Sequence, residues 1–92
     1  MQKQIFLDKL FIKHYKQRVA GNKSLVLRYE ERVRLFIEDR DNPTLKDHQL
    51  QGKMKQYRSF SITGDFRVIY LEEEKEIIFI FVDIGAHNQV YK

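Results

Sequence analysis

The sequence predicts an α+β fold in which an antiparallel sheet of three to four strands carries an N-terminal helical hairpin on one face. Apolar residues recur with a helical period in the first half of the chain and with a strand period in the second half. The only proline, Pro43, lies in the polar stretch between the two halves. Because the chain has 92 residues, we expect one domain, residues 1–92, with the element order β-α-α-β-β-β.

The first two predicted elements are a strand and a helix. Residues 5–7 are apolar, and so short a run favours a strand at the edge or in the centre of the sheet. Asp8 can cap the following helix, because its carboxylate can accept a free backbone N–H of the first turn. Apolar residues then recur every four positions on one helix face: Phe11, Tyr15 and Val19. Gly21 is expected to end this helix, since glycine tolerates the left-handed cap conformation.

The second helix is predicted to pair with the first as an antiparallel hairpin. Its apolar residues follow the period of 3.6, while most of its charged residues lie off that face. These apolar residues are Leu25, Tyr29, Val33, Phe36 and Ile37. The helix is expected to stop at Pro43, and the short turn at Gly21 and Asn22 brings the two helices side by side.

The second half of the chain is predicted to form three strands after an irregular stretch. Residues 57–63 alternate in polarity, and Gly64 and Asp65 form a two-residue turn signal that leads into a second strand over residues 66–71. The third strand, residues 76–84, contains six consecutive apolar residues. We therefore expect this strand to be central in the sheet and covered on both faces.

A two-residue turn also predicts which residues of the hairpin share a face. It sets Arg67 opposite Ile62 and Arg58 opposite Leu71, so that both arginines lie on one face with Phe60. The opposite face would carry Ser59, Ser61, Val68 and Tyr70. Arg67 is a single charge in the middle of its strand, and burying it without a partner would be costly. Arg67 therefore either pairs with an acid such as Asp83 or lies on an open face, where its guanidinium can clamp an anion.

The charge balance indicates partners of opposite charge. The chain has 17 Lys and Arg against 13 Asp and Glu, and ten of these cations but only five of the acids fall in residues 1–40. Such a surface either binds nucleic acid, an anionic membrane or an acidic protein, or is simply solvated. The absence of cysteine excludes disulfides, thiolate zinc sites and a cysteine nucleophile. No apolar run resembles a signal peptide or spanning helix, so we expect a cytoplasmic protein.

Three histidines are candidates for acid–base chemistry. His14 lies off the apolar face of the first helix and is expected to be solvated. His48 and His87 fall in predicted loops, where functional residues are common, and an imidazole titrates near neutral pH. A zinc site built from two histidines and an aspartate lacks the usual close ligand spacing, so we expect neither a metal nor another cofactor.

Three blocks of the second half form a recognisable pattern, in residues 47–52, 57–70 and 82–91. They contain a His-x-Leu-x-Gly motif, a Gly-Asp-aromatic-Arg hairpin and a terminal Gly-x-His motif followed after three residues by tyrosine. This pattern resembles the RelE/ParE superfamily of bacterial type II toxins, and within it the YafQ-like mRNA interferases. The blocks span about half of the chain in the family's order. The first half agrees only in its strand-helix-helix plan.

The resemblance implies a ribosome-dependent endoribonuclease that cuts mRNA without a metal. The ribose 2′-OH would attack the adjacent phosphate and leave a 2′,3′-cyclic phosphate and a 5′-OH end. This requires a base, a cation at the phosphoryl oxygens and an acid at the leaving oxygen. The matching positions here are His48, Asp65, Arg67, His87 and Tyr91. We assign His87 as the base, and His48 or Asp65 as the acid or orienting group.

The match also has departures that bear on RNA binding. Ser61 stands where the best-known YafQ-like toxin has a further histidine, and Phe66 replaces a tryptophan. The RelE branch has lysines in the first hairpin strand, where only Arg58 is basic here. We expect RNA contacts from Lys53, Lys55, Arg58 and Phe66.

The resemblance further implies two kinds of partner. One is a cognate antitoxin whose acidic segment orders on the basic toxin face, and the other is the ribosome with its bound mRNA. Contacts to ribosomal RNA are expected from Lys9, Lys13, Lys16, Arg18, Arg28, Arg32 and Arg34. We expect the free toxin to be monomeric and not to bind membranes.

Two alternative functions use the same fold. ParE-like toxins inhibit DNA gyrase without cutting RNA, but they lack the paired histidines that this chain has at His48 and His87. A relative that only binds an antitoxin would be expected to have lost part of the residue set. The site residues, rather than the fold, separate these functions.

Overall fold

A five-stranded sheet and two long helices make up most of residues 2–91, the part of the chain that the computed structural model describes. The strands are β1 (Gln4–Leu7), β2 (His48–Gln49), β3 (Arg58–Ser61), β4 (Phe66–Glu74) and β5 (Ile78–Ala86). The helices are α1 (Lys9–Arg18), α2 (Lys23–Glu38) and the short α3 (His87–Val90). The α+β class is therefore confirmed, with more strands than predicted.

The sheet is mixed, whereas an antiparallel sheet was predicted. The strand order is β1-β5-β4-β3-β2. Strands β2 to β5 pair antiparallel, but the edge strand β1 runs parallel to β5, with Gln4 opposite Ile78. The apolar run at residues 5–7 predicted the strand but carried no information about its partner, because pairing with β5 is a contact across more than 70 residues.

Side-chain caps define both long helices. The Asp8 carboxylate accepts the backbone N–H of Lys9 at 2.7 Å, as predicted. The Asn22 side chain caps α2 by accepting the N–H of Leu25 at 3.1 Å. The expected end of α2 at Pro43 was wrong, since the helix ends at Glu38.

The early end of α2 has a local cause. The Asp39 carboxylate accepts the N–H of Asp41, and the Asn42 side chain accepts the N–H of Thr44. Such side-chain bonds offer the backbone an alternative to the helical pattern. Pro43 instead opens a single 3₁₀ turn, Pro43–Leu45.

An aromatic core lies between the helices and one face of the sheet. Phe36 of α2 is fully buried at its centre, with ring centroids 4.8 Å from Phe60, 5.0 Å from Phe79 and 5.0 Å from Tyr70. The apolar period of α2 predicted this role for Phe36, but Ile37 of the same predicted face is exposed.

The register of the β3–β4 hairpin differs by one residue from the prediction. Ser61 lies opposite Arg67, and Arg58 lies opposite Tyr70. The turn is wider than two residues, because the Thr63 hydroxyl accepts the backbone N–H groups of both Asp65 and Phe66. The shift reverses the predicted faces, so that Arg58 and Arg67 point to opposite sides of the sheet.

The sheet face turned away from α1 and α2 is called the open face below. On β5, Phe79 and Phe81 are buried beneath the helices, while Ile78, Ile80 and Val82 alternate with them and are only half-buried. The prediction that this strand is covered on both faces was therefore wrong. Cover on the open face is local and comes from the segment after β2 and from α3, which pack around Ile69.

Candidate active site on the open face of the sheet

Two rows of residues cross the open face. Because directly opposed residues on neighbouring strands point to the same side, the pairing register defines each row. The first row runs from β2 to β5 and contains His48, Ser59, Ile69 and Asp83. The second row contains Ser61, Arg67 and Gly85. The register thus brings His48 and Arg67, which are 19 positions apart in sequence, onto one surface.

The C-terminal helix α3 adds two aromatic rings to this surface. The Tyr91 hydroxyl donates a hydrogen bond of 2.6 Å to Oγ of Ser59. The ring of His87 meets the ring of Tyr91 edge-on, with centroids 4.5 Å apart. The Asp65 carboxylate accepts the backbone N–H of His87 at 3.3 Å, which links the hairpin turn to the start of α3. His87 begins this helix directly after β5, where a loop was expected.

Arg67 is a half-buried cation without an acidic partner in residues 2–91. No salt bridge among those residues includes its guanidinium. The alternative in which Arg67 pairs with Asp83 is therefore wrong. Asp83 instead lies 2.6 Å from Nδ1 of His14 and 3.6 Å from Nη1 of Arg18.

His14 was expected to be solvated, but its side chain is only 15% exposed. The cause lies in the length of β1, which pairs with β5 only as far as Phe81. Helix α1 packs along the remainder of β5 and brings His14 and Arg18 to Asp83. Arg18 also donates to the carbonyl of Ile84 at 2.9 Å, so it anchors β5 instead of facing solvent for RNA.

Gly85 lies close to the ends of two side chains that hold this part of the structure. A Cβ atom at Gly85 would lie 2.6 Å from Nη1 of Arg18 and 2.8 Å from Oε1 of Gln89. The same Gln89 oxygen accepts the backbone N–H of Ala86 at 2.7 Å and so holds the start of α3. No sequence motif pointed to these positioning roles of Arg18 and Gln89. The glycine two residues before His87 was the signal for a close approach.

A buried carboxylate holds the segment that carries His48. The Asp47 side chain is only 4% exposed and accepts hydrogen bonds from Nη2 of Arg58 at 2.6 Å and from the Tyr70 hydroxyl at 2.5 Å. Burial alone would lower the pKa of Arg58, but the hydrogen bonds to Asp47 and Tyr70 raise it. Burial and the Asp47 carboxylate raise the pKa of Tyr70. This network lies on the helix side, so Arg58 is not on the predicted RNA-binding face.

His48 itself is exposed and oriented. Its Nδ1 atom lies 2.9 Å from the carbonyl of Lys46. A carbonyl can only accept, so Nδ1 carries the proton and Nε2 remains available for proton transfer.

The sequence profile of YafQ, a bacterial toxin of type II toxin-antitoxin systems, matches residues 3–92. The chain belongs to the YafQ toxin family. The crystal structure of YafQ from E. coli strain BL21(DE3) has the same fold, with a TM-score of 0.80, 22% identity and coverage of 99% of this chain and 100% of that chain. YafQ in the E. coli DinJ-YafQ toxin-antitoxin complex gives a TM-score of 0.79 at 23% identity, with full coverage of both chains.

A metal-bound toxin from Helicobacter pylori is also similar, with a TM-score of 0.74, 28% identity and coverage of 99% of this chain and 100% of that chain. No curated protein sequence matches the chain. Membership of the YafQ family makes this protein a type II toxin, in agreement with the sequence resemblance.

The remaining predicted residues of this YafQ-family toxin fall on different parts of the surface. Lys53 and Lys55 are exposed beyond β2, while Phe66 packs against the core on the helix side. Ser61 is buried, and its hydroxyl donates to the carbonyl of Thr63 at 2.5 Å.

Most of the basic residues expected to contact ribosomal RNA are exposed. Arg32 is an exception, because its Nη1 donates to the carbonyls of Thr44 and Ser61, both at 3.3 Å. The exposed residues are Lys9, Lys13, Lys16, Arg28 and Arg34.

Within residues 2–91, no group of three or more His, Cys, Asp or Glu side chains is placed to hold a metal ion. None of the helices in that part of the chain has the length and apolar character needed to cross a membrane.

Proposed function

We propose that this toxin is an endoribonuclease that cuts mRNA on the ribosome, with its active site on the open face. The observation that carries the proposal is that His48 and Arg67 share the open face, while α3 sets Tyr91 against Ser59 and His87 against Tyr91. Membership of a toxin family supports it, because arrest of translation by mRNA cleavage is a toxic activity. Arg67 has no acidic partner in residues 2–91, so its charge is available for a phosphate.

The proposed reaction uses the RNA's own 2′-OH as the nucleophile. A base removes the proton of the 2′-OH, and the oxygen attacks the neighbouring phosphorus atom. The bond from phosphorus to the 5′-oxygen breaks, and an acid donates a proton to that leaving oxygen. The products are a 2′,3′-cyclic phosphate and a 5′-OH end, so protons and charges balance without an added reactant.

The residues take roles that follow from their contacts. His87 is the proposed base. His48 is the proposed acid: when its ring carries both protons, Nδ1–H stays bonded to the Lys46 carbonyl and Nε2–H is the proton that it donates. Arg67 stabilises the negative charge that builds up on the phosphoryl oxygens. Asp65 orients the start of α3 by accepting the His87 N–H. Tyr91 can stack on a nucleobase of the RNA or donate a hydrogen bond to its phosphate. Exposed Lys53 and Lys55 contact the RNA backbone.

A cognate antitoxin is the second proposed partner. E. coli YafQ has been solved as a complex with DinJ. Residues 1–40 of the present chain hold ten Lys and Arg against five Asp and Glu, which suits an acidic antitoxin segment. We propose that such a segment orders on this basic surface and that the free toxin is a monomer.

Induced expression in a bacterial host tests the proposal. We expect translation to stop, and primer extension on a reporter mRNA to reveal new 5′ ends within the reading frame. Chemical analysis of the fragments should detect 2′,3′-cyclic phosphates. A gyrase inhibitor would instead cause a DNA-damage response with intact message. Normal translation with stable mRNA would contradict the ribonuclease proposal.

A further inference from the structure

A pocket of about 240 Å³ lies on the open face beside the proposed active site. We propose that this pocket binds one nucleobase of the RNA substrate and prefers bases with an exocyclic amino group over uracil. The inference rests on the proposed function and adds a specificity site to it. The pocket is lined by apolar side chains, one tyrosine and two aspartates.

The pocket lies next to residues of the proposed active site. Ile69 lines it, and Ile69 stands between Ser59 and Asp83 in the first row of the open face. Val90 also lines it, and the next residue, Tyr91, packs against the same apolar cluster while bonding to Ser59. A nucleotide whose phosphate contacts Arg67 would therefore have the pocket within reach of its base.

The walls suit a flat, partly apolar ligand. Leu10 and Val82 supply aliphatic contacts, and the ring of Tyr57 supplies an aromatic one. Tyr57 is half-buried, so part of its ring remains accessible for stacking. Unpaired RNA bases are commonly bound by stacking on aromatic side chains and by hydrogen bonds to their Watson–Crick edges.

Two carboxylates set the polarity of the pocket. Oδ1 of Asp83 accepts from Ile84 N–H at 2.8 Å and lies 2.6 Å from Nδ1 of His14. Oδ1 of Asp8 accepts from Lys9 N–H. Among residues 2–91, no hydrogen bond occupies Oδ2 of either aspartate. A free carboxylate oxygen accepts from the amino group of cytosine, adenine or guanine and repels the carbonyl oxygens of uracil.

The charge pattern fits a nucleotide better than other occupants. Arg67 lies opposite Gly85, and Asp83 is two residues away on the same strand as Gly85, a diagonal separation of about 7–8 Å. This span is close to that from a nucleotide's phosphate to the far edge of its base. An acidic peptide or a second phosphate would be repelled by Asp8 and Asp83.

Cleavage mapping with aspartate variants tests the preference. On a reporter library in a reconstituted translation system, the wild type should show uracil depleted about tenfold at one position near the cut. Asp8→Asn and Asp83→Asn should relax that depletion, because an amide can also donate to uracil. Asparagine still caps a helix well, so Asp8→Asn should not affect folding. Glu73→Gln removes an exposed carboxylate outside the pocket and serves as the matched control.

The two aspartate variants differ in their structural risk. Asp83→Asn also alters the contacts with His14 and Arg18, so its melting temperature is measured alongside. If Asp83→Asn unfolds, the result for Asp8→Asn alone decides the test. Cleavage at the wild-type rate with unchanged uracil depletion in Asp8→Asn would overturn the pocket and leave the proposed function standing. The absence of any base preference in the wild type would do the same.

A binding experiment separates the pocket from the reaction. Methyl resonances of Ile69, Val82 and Val90 are followed by NMR during titration with cytidine 3′-monophosphate or uridine 3′-monophosphate. These probes differ only at the base edge that the aspartates would read. A response to the cytidine compound several times stronger than to uridine supports the pocket, even if mRNA cleavage fails. Equal responses, no response, or a response only to an acidic peptide would overturn it.

Discussion

The Tyr91 hydroxyl donates a hydrogen bond of 2.6 Å to the Ser59 hydroxyl, across 32 positions of the chain. This contact fixes the end of α3 to the first row of the open face. Because the His87 ring rests edge-on against the Tyr91 ring, the position of the proposed base depends on the tyrosine. Tyr91 is thus part of the support of the site as well as a candidate contact to RNA.

Tyr91→Phe and Tyr91→Ala separate the contribution of the hydrogen bond from that of the aromatic ring. The phenylalanine variant loses only the hydrogen bond, which is worth about 1 kcal/mol, and should keep partial toxicity. The alanine variant also removes the ring beneath His87 and should lose most of its toxicity. Growth after induction and thermal unfolding measure the two effects. Equal toxicity of both variants would show that the ring does not support His87.

His87→Ala and Arg67→Ala should each abolish toxicity without unfolding the protein. Removal of a general acid or base typically costs about 10²–10⁴ in rate, and removal of a positioned charge donor about 10²–10³. Asn88→Ala and Lys75→Ala are the matched controls, since both residues are exposed. Growth arrest that persists in both test variants would refute the assignment. Unfolding of Arg67→Ala would indicate a structural role for its charge.

Gly85→Ala should destabilise the fold and misplace the start of α3. The new Cβ would lie 2.6 Å from Nη1 of Arg18 and 2.8 Å from Oε1 of Gln89. It would displace these side-chain ends from the Ile84 carbonyl and the Ala86 N–H, at about 1 kcal/mol for each hydrogen bond lost. Gly64→Ala is a suitable control, because a Cβ there meets nothing within 4 Å. Denaturant unfolding compares the two variants. A Gly85→Ala protein as stable as the wild type would mean that Arg18 and Gln89 move aside freely.

The periodic patterns of the sequence predicted most elements correctly. The spacing of Phe11 and Tyr15 gave α1, and the alternation around Phe60 gave β3. The motif blocks also led to His48 and His87, which both contribute to the open face. These features depend on local spacing, which a sequence displays directly.

The errors concern the geometry of one turn and a contact between distant segments. The hairpin register shifted because the Thr63 hydroxyl closes a wider turn than Gly64 and Asp65 indicate. That single shift moved Arg58 to the helix side and left Arg67 on the open face. The burial of His14 likewise depends on Asp83, 69 positions away, and no local pattern predicts such a pair.

Stability should fall in acid partly through Glu72. Burial would raise the pKa of this carboxyl, but the backbone N–H of Glu76 and the Arg40 guanidinium, 3.2 Å away, lower it. A lowered pKa means that the ionised form stabilises the folded state, so the contribution is present at neutral pH and disappears as Glu72 is protonated. Glu72→Gln should be less stable than the wild type at neutral pH, with the difference closing in acid. Glu73→Gln, at an exposed position, should not reproduce this pattern in unfolding experiments.

Salt dependence should distinguish the cations that contact RNA from exposed cations that do not. Each phosphate neutralised on single-stranded RNA contributes roughly −0.7 to the slope of log affinity against log salt. Lys13 is exposed on α1, so Lys13→Ala should make the slope less negative by up to that amount if the helix contacts RNA. Lys75→Ala should leave the slope unchanged, because this lysine lies among the acids of the β4–β5 turn. Fluorescence anisotropy with a labelled RNA at several salt concentrations measures both. A flat affinity for the wild type would show that the basic surface is merely solvated.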